Sequence, residues 1–238
     1  MGIDVDAAKV VTLNLAHEQR VVTDPARALS EMKLHGMEVV SMFRRRKAGH
    51  NEDDGNPLIY ALKGRMGFTI PPADLRKFIA LGQQLLPQAL AGTEFDLVVP
   101  LPSSATVTHR LGLRAARNRG VLPIIPCLHK ATIADVLAAA PALDAVKARD
   151  RQWFTTQLAR LQQLAPDQII EMKTVPIRIR QYFTPIAAGT LADQCAGRHI
   201  LLVDDIVGSG ASLLAARNAL LAAGAAGVRA LTLLSRLR

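Results

Sequence analysis

The sequence has few of the residues that cross-link or anchor small proteins. Its two cysteines, Cys127 and Cys195, are too few and too far apart for a CxxC-type zinc site or a disulfide framework, so we expect two reduced thiols. No uncharged apolar run approaches the ~18 residues of a membrane span. The start lacks the apolar core of a secretory signal, and Asp6 stands where a myristoylation signal has Ser or Thr. We therefore expect a cytoplasmic protein without a membrane partner.

Aromatic residues and acidic residues are also scarce. Aromatics make up 4% of the 238 residues and hydrophobic residues 50%, which predicts an aliphatic, helix-rich core. Lys and Arg number 29 against 20 Asp and Glu, giving a net charge of +9. This balance favours polyanionic partners and leaves open whether they are nucleic acids or phosphorylated small molecules.

Apolar patterns alternate between strand and helix along most of the chain. Strands are predicted at 95–100, 121–125, 200–204 and 228–234, with a half-exposed strand at 175–183. Helices are predicted at 72–91, 111–120, 212–223 and, with a break near Pro141, 132–164. The alternation predicts an α/β fold with a mostly parallel sheet flanked by helices over residues 56–238.

Residues 1–55 are predicted to be an irregular N-terminal attachment or hood. Asp24 and Pro25 are typical of a helix start, so a helix is predicted at 25–32, followed by a strand at 37–43. The basic run 44–47 then either grips a phosphate backbone or forms a solvated patch, and the second interpretation is favoured.

The segment "ILLVDDIVGSGAS", residues 200–212, places two acids and a small-residue loop between a strand and a helix. No Lys follows Gly210, which excludes a Walker A loop, and Leu213 occupies the third-glycine position of a dinucleotide fingerprint. Too few residues follow Asp205 to complete a receiver domain. Small residues before a helix start can instead surround a phosphate with N–H groups, while nearby carboxylates accept hydrogen bonds from sugar hydroxyls. The pattern therefore predicts a ribose 5-phosphate site.

The same segment resembles the phosphoribosyl pyrophosphate (PRPP) signature of type I phosphoribosyltransferases, with Gly208 where Thr, Ser, Ala or Asp is more usual. "NPLIYALKGRMG" and "DLVVPLPSS" extend the resemblance to the ComF-like branch over about 56–125 and 180–238. The N-terminal cysteine zinc module usual in that branch has no counterpart here. Gly112 is kept, whereas Leu111 stands where that branch has Arg.

The resemblance implies a type I phosphoribosyltransferase fold and a role for each matching residue. Asp204 and Asp205 are the expected catalytic residues; they would hold the ribose hydroxyls near a Mg²⁺ that is bound through the ligand. The PRPP-binding loop would comprise Val207, Gly208, Ser209, Gly210, Ala211 and Ser212. The segment Pro102, Ser103, Ser104 and Ala105 is either the pyrophosphate loop or a plain turn.

Further candidate ligand contacts lie outside the acidic pair and the two loops. Basic residues that either contact phosphate or simply lie at the surface are Lys63, Arg65, His109, Arg110 and Arg114. Tyr182 and Phe183 either stack on a base or pack in the core, and a mobile loop over the site is expected within 165–182.

Two functions follow from these observations. The favoured one is a Mg²⁺-dependent phosphoribosyltransferase that uses PRPP and a nitrogen nucleophile and releases pyrophosphate. The alternative is a catalytically silent nucleotide- or DNA-binding accessory protein, as the ComF-like resemblance to DNA-uptake proteins and the basic surface suggest. A homodimer is a further hypothesis.

Overall fold

The strands and helices alternate along the chain as the apolar pattern predicts. The computed structural model describes residues 1–47, 56–103, 105–121 and 127–237. The strands are β1 (Gly2–Val5), β2 (Val11–Asn14), β3 (Val21–Val22), β4 (Ser30–Leu34), β5 (Met37–Arg45), β6 (Leu97–Pro100), β7 (Leu128–Lys130), β8 (Ile186–Ala188), β9 (His199–Ile206) and β10 (Gly227–Leu234). The helices are α1 (Pro57–Lys63), α2 (Pro72–Ala89), α3 (Thr106–Arg119), α4 (Ile133–Ala138), α5 (Arg151–Leu161) and α6 (Ala211–Ala222).

The central sheet has the strand order β3-β5-β10-β9-β6, with β4 also paired to β5. Neighbouring strands from β5 to β6 are parallel, whereas β3 and β4 run antiparallel to β5. The apolar run 200–203 of β9 is continuous rather than alternating, as expected for a strand covered on both faces. The predicted α/β fold with a mostly parallel sheet flanked by helices is confirmed.

Side chains of β9 alternate between two apolar cores, one on each face of the sheet. Leu201 and Val203 pack in a core that includes residues of α1, α2 and α3. Ile200 and Leu202 pack in a second core with buried residues of α6. Burial on both faces fixes β9 rigidly, and its carboxyl end carries the acidic pair.

The N-terminal segment contributes strands to this same sheet. The predicted strand at 37–43 is confirmed as β5, which lies beside β10. The helix predicted at 25–32 is wrong, because the Asp24 carboxylate accepts the Ala26 N–H at 3.1 Å to close a turn and β4 follows. Asp-Pro pairs begin turns as readily as helices, which explains the error. The domain division at residue 55 stays a prediction.

A small helical layer lies between β7 and β8, which pair as an antiparallel ribbon. The helical prediction for 132–164 is confirmed as α4 and α5, with the break around Pro141. The strand predicted at 175–183 is wrong, since 3₁₀ turns cover Met172–Thr174 and Ile177–Tyr182. Val175, Ile179 and Phe183 are buried, and all three pack in the core of the helical layer.

The remaining strand prediction, 121–125, lies outside the described residues apart from Val121. Within the described ranges, no helix combines the length and the apolar character needed to cross a membrane.

The two cysteines lie side by side in the core that contains Ile200. Cys127 and Cys195 are free thiols, 1% and 0% exposed, with their Sγ atoms 3.2 Å apart. Burial, reinforced by the hydrogen bond with Cys195, raises the pKa of Cys127 to about 12, so this side chain is a thiol at neutral pH.

Candidate functional site

The acidic pair lies at the carboxyl end of the central sheet. The sequence pattern predicts that the strand ends at Asp204, whereas β9 continues through Asp205 to Ile206 because β10 pairs with it that far. The neighbouring parallel strand β6 ends at Pro100 and continues directly into the predicted pyrophosphate loop. The carboxyl ends of parallel strands are the usual location of ligand sites in such sheets.

Asp205 is buried and already has partners. Its side chain is 4% exposed and forms an ion pair with Lys63 of α1. Thr108 Oγ1, in the first turn of α3, donates a hydrogen bond to Asp205 Oδ2 at 3.2 Å. These contacts hold the carboxylate in one orientation and supply the positive charge that a buried acid needs.

Asp204 is half-buried and lines the cavity described below. Its Oδ1 accepts the backbone N–H of Asp205 at 2.8 Å. Burial, followed by repulsion from the Asp205 carboxylate, raises the pKa of Asp204 to about 7, against the opposing effects of that N–H and of Lys63. A carboxyl group with this pKa can exchange a proton near neutral pH or bind a cation that holds it ionised.

The predicted PRPP-binding loop is a tight turn that ends in the first residues of α6. Gly210 has a φ of +88°, which favours glycine, and a Cβ there would lie 2.7 Å from the Leu34 side chain, which would have to shift. A Cβ at Gly208 would meet no atom within 4 Å, which leaves room for the Thr or Ser usual in the resembled signature. The N-cap residue of α6, Gly210, has no side chain to cap the helix, and Ser209 Oγ accepts the Ala211 N–H at 3.4 Å.

The predicted pyrophosphate loop lies on the other side of the acidic pair. Pro102 and Ser103 line the same cavity as Asp204, and Ser103 Oγ accepts the Ala105 N–H at 3.2 Å. Ser104 lies outside the described residues. The helix that follows begins at Thr106, earlier than the predicted start at 111, and Gly112 allows it to approach Pro100 closely, since a Cβ there would lie 2.9 Å from the proline ring.

One cavity of about 720 Å³ connects these elements. Its lining combines acids, cations and an apolar wall from the helical layer: Lys63, Arg65, Leu101, Pro102, Ser103, Lys130, Ile169, Ile170, Glu171, Met172, Pro185, Ile186, Asp204, Asp205 and Ser212. Seven of the residues predicted from sequence line this cavity: Lys63, Arg65, Pro102, Ser103, Asp204, Asp205 and Ser212.

Other predicted residues lie elsewhere. His109, Arg110 and Arg114 are on α3 and do not line the cavity. Tyr182 and Phe183 pack around Phe154 in the helical layer, with ring centroids 5.7 Å and 5.3 Å from it. The remaining loop residues, Val207, Gly208, Ser209, Gly210 and Ala211, form the turn that leads to Ser212.

Several lining residues were not predicted. Lys130 lies on the short strand β7, and Glu171 lies between the apolar residues Ile170 and Met172, in a region with no recognisable motif. Thr108 could have been predicted, because a helix starting directly after the β6 loop places its first turn next to the acidic pair.

The acidic pair can supply one carboxylate to a metal ion whose other ligands come from a bound substrate. Among the described residues there is no group of three or more His, Cys, Asp or Glu side chains that could hold an ion. Asp205 is engaged by Lys63, which leaves Asp204 as the carboxylate able to approach a cation. Hard oxygen donors suit Mg²⁺, which keeps waters and phosphate oxygens in most of its positions.

Comparison with known proteins identifies a domain in the second part of the chain. The family model described as phosphoribosyl transferase domain matches residues 134–238, which include the helical layer, the acidic pair, the small-residue loop and α6. Neither the curated proteins nor the solved structures gave a significant match. The match supports the resemblance to type I phosphoribosyltransferases, while assignment to the ComF-like branch stays a prediction. Residues 134–238 are therefore similar to a phosphoribosyl transferase domain.

Proposed function

We propose that the protein binds PRPP in the cavity at the carboxyl ends of β6 and β9 and transfers its phosphoribosyl group to a nitrogen nucleophile. One observation carries this proposal: the acidic pair, Ser212 at the end of the small-residue loop and Ser103 of the β6 loop all line one cavity. The acidic pair can accept hydrogen bonds from the ribose hydroxyls, and it lies between one loop for the 5-phosphate and one for the pyrophosphate. PRPP requires all three of these contacts.

In this proposal the 5-phosphate is bound by the N–H groups that begin α6 and by the hydroxyls of Ser209 and Ser212. The pyrophosphate lies against the β6 loop, where Lys63 and Arg65 add positive charge to the lining. Leu111 is buried, so the arginine found there in the ComF-like branch has no replacement at that position. The cations of α1 and its following turn take over part of that role.

The reaction breaks the bond between ribose C1 and the pyrophosphate oxygen and forms a bond between C1 and the acceptor nitrogen. Pyrophosphate leaves with the electron pair of the broken bond and takes up the proton that the acceptor nitrogen loses. Positive charge grows at C1 as that bond breaks, and the Asp204 carboxylate stabilises it. Bound Mg²⁺, held by Asp204 and the phosphate oxygens, would neutralise charge on the leaving group.

The acceptor approaches from the apolar wall formed by the helical layer. Ile169, Ile170 and Met172 face the same cavity as the acids, so a flat nitrogen base would lie between this wall and the ribose. Glu171 provides a carboxylate there for the N–H groups of such a base.

The test is pyrophosphate release from PRPP and Mg²⁺ with a panel of purine, pyrimidine and amine acceptors. We expect release with one acceptor class, reduced at least about 100-fold in Asp204→Asn because the variant loses charge at the reacting centre. PRPP binding without release across the panel would instead support the silent binding protein. An Asp204→Asn variant as active as the wild type would remove Asp204 from the mechanism.

A further inference from the structure

Within the basic run 44–47, Arg45 departs from the solvated patch predicted from sequence. Arg46 and Lys47 are exposed, as predicted. Arg45 is 1% exposed and is among the largest fully buried side chains of the described residues. An arginine is almost never fully buried unless its guanidinium has partners, so its contacts indicate what it does.

The contacts of Arg45 lead to the start of the small-residue loop. Its Nε donates to the Ser235 carbonyl oxygen at 2.6 Å, and its backbone N–H donates to Ser235 Oγ at 2.9 Å. Its Nη2 donates to the carbonyl oxygen of Val207 at 3.4 Å. Val207 directly precedes Gly208, and its own N–H donates to the Leu234 carbonyl at 3.0 Å. The backbone N–H and the backbone C=O of Val207 are therefore both held in place, from β10 and β5 respectively.

From this geometry we propose that Arg45 is a positioning residue of the small-residue loop, which rests on the function proposed above. It fixes the Val207 carbonyl so that the N–H groups after it face the 5-phosphate. Its charge also lies at the base of the loop, where water is excluded and attraction for a dianion is stronger than at the surface. The planar, forked guanidinium can bond two carbonyls at once, which the ammonium of a lysine does less well.

A purely structural role of Arg45 and a positioning role predict different effects on ligand binding. If Arg45 only ties β5 to the residues after β10, its removal weakens the fold and affects every ligand of the cavity alike. If it positions the loop, its removal selectively weakens ligands that carry a 5-phosphate. Pyrophosphate, which would bind the β6 loop and Lys63, is then the internal reference.

The experiment measures the affinity of ribose 5-phosphate and of pyrophosphate, each with Mg²⁺, by calorimetry on the full chain. The variants are Arg45→Met, which removes the charge at similar length, and Arg45→Lys, which keeps it. The matched control is Arg46→Met, because Arg46 comes from the same run but pairs with Glu18 at 2.8 Å, away from the loop.

We expect Arg45→Met to raise the Kd of ribose 5-phosphate about tenfold or more, equivalent to about 1.4 kcal/mol, while the pyrophosphate Kd changes less than about twofold. Arg46→Met should change neither. If Arg45→Met does not fold, Arg45→Lys decides the question, with an expected rise of about threefold for ribose 5-phosphate alone.

An unchanged ribose 5-phosphate affinity in a folded Arg45 variant overturns the inference, and so does an equal loss of both ligands. A wild type that binds neither ligand overturns the proposed function as well. If the wild type binds both ligands, the proposed ligand site is supported, and the Arg45 variants then test the positioning role alone.

Discussion

The ammonium of Lys63 pairs with the buried carboxylate of Asp205 and so joins the end of α1 to the carboxyl end of β9. Lys63 is 13% exposed and Asp205 is 4% exposed, which makes this a buried ion pair rather than a surface one. Removing one partner leaves the other charge buried without compensation. The pair therefore contributes to both the stability of the fold and the charge of the cavity.

Lys63→Met should destabilise the protein by about 3–5 kcal/mol, because Asp205 is left as an unpaired buried acid. Urea unfolding measures this change. Lys77→Met is the control, since Lys77 is 67% exposed and lies 3.5 Å from Asp74 on α2, so its loss should cost about 0–1 kcal/mol. Equal effects of the two variants would show that Lys63 and Asp205 do not form a pair in solution.

The raised pKa of Asp204 predicts how stability changes with pH. Its folded pKa of about 7 exceeds the usual 3.8, so the native state holds this proton more tightly than the unfolded state. The resulting stabilisation is complete below about pH 4 and is lost as the pH rises through about 7. Asp204→Asn lacks this loss, so its Tm relative to the wild type should increase from pH 4 to pH 7, as measured by calorimetric scans. A Tm difference that stays constant over this range would contradict the shift.

The parts of the site that are contiguous in sequence could be predicted, whereas contacts between residues distant in sequence could not. The acidic pair and the small-residue loop were predicted from one contiguous segment, because strand, loop and helix follow one another from 199 to 222. The partner of Asp205 could not be predicted, since Lys63 reaches it only through packing of α1 against the sheet. The strand prediction at 175–183 failed because "VPIRIRQYF" alternates in sequence, whereas Ile177–Tyr182 forms a 3₁₀ turn and the segment buries Val175 and Ile179 in the helical layer.

The two glycines of the loop should respond differently to the same change. Gly210→Ala should cost about 1–3 kcal/mol and weaken ribose 5-phosphate binding, because the residue has a φ of +88° and its Cβ would contact Leu34. Gly208→Ala should be tolerated, since its Cβ would meet nothing within 4 Å. Unfolding midpoints and ribose 5-phosphate affinity check both. A loop that tolerates Ala at 210 and not at 208 would contradict the turn geometry.

The adjacent thiols of Cys127 and Cys195 predict a disulfide that forms under oxidation. With their Sγ atoms 3.2 Å apart, diamide should remove two hydrogen atoms and join them within one chain, as mass spectrometry of the native protein can show. The thiol pKa of about 12 for Cys127 predicts that the rate rises with pH, because the thiolate is the reacting form. The cross-link should raise the Tm, with up to about 4 kcal/mol from the loop that it closes. Disulfide-linked dimers as the main product, or no gain in Tm relative to Cys195→Ser, would contradict this prediction.

The central claim is that one cavity binds PRPP through the acidic pair and both anion loops. Calorimetric titration of the full chain with PRPP and Mg²⁺, repeated on Asp204→Asn/Asp205→Asn, measures this most directly. We predict saturable binding with one site per chain and a Kd at least about tenfold higher in the double variant, since both ribose contacts are removed. No binding of PRPP by the wild type at millimolar concentration, or equal affinity in the two proteins, would contradict it.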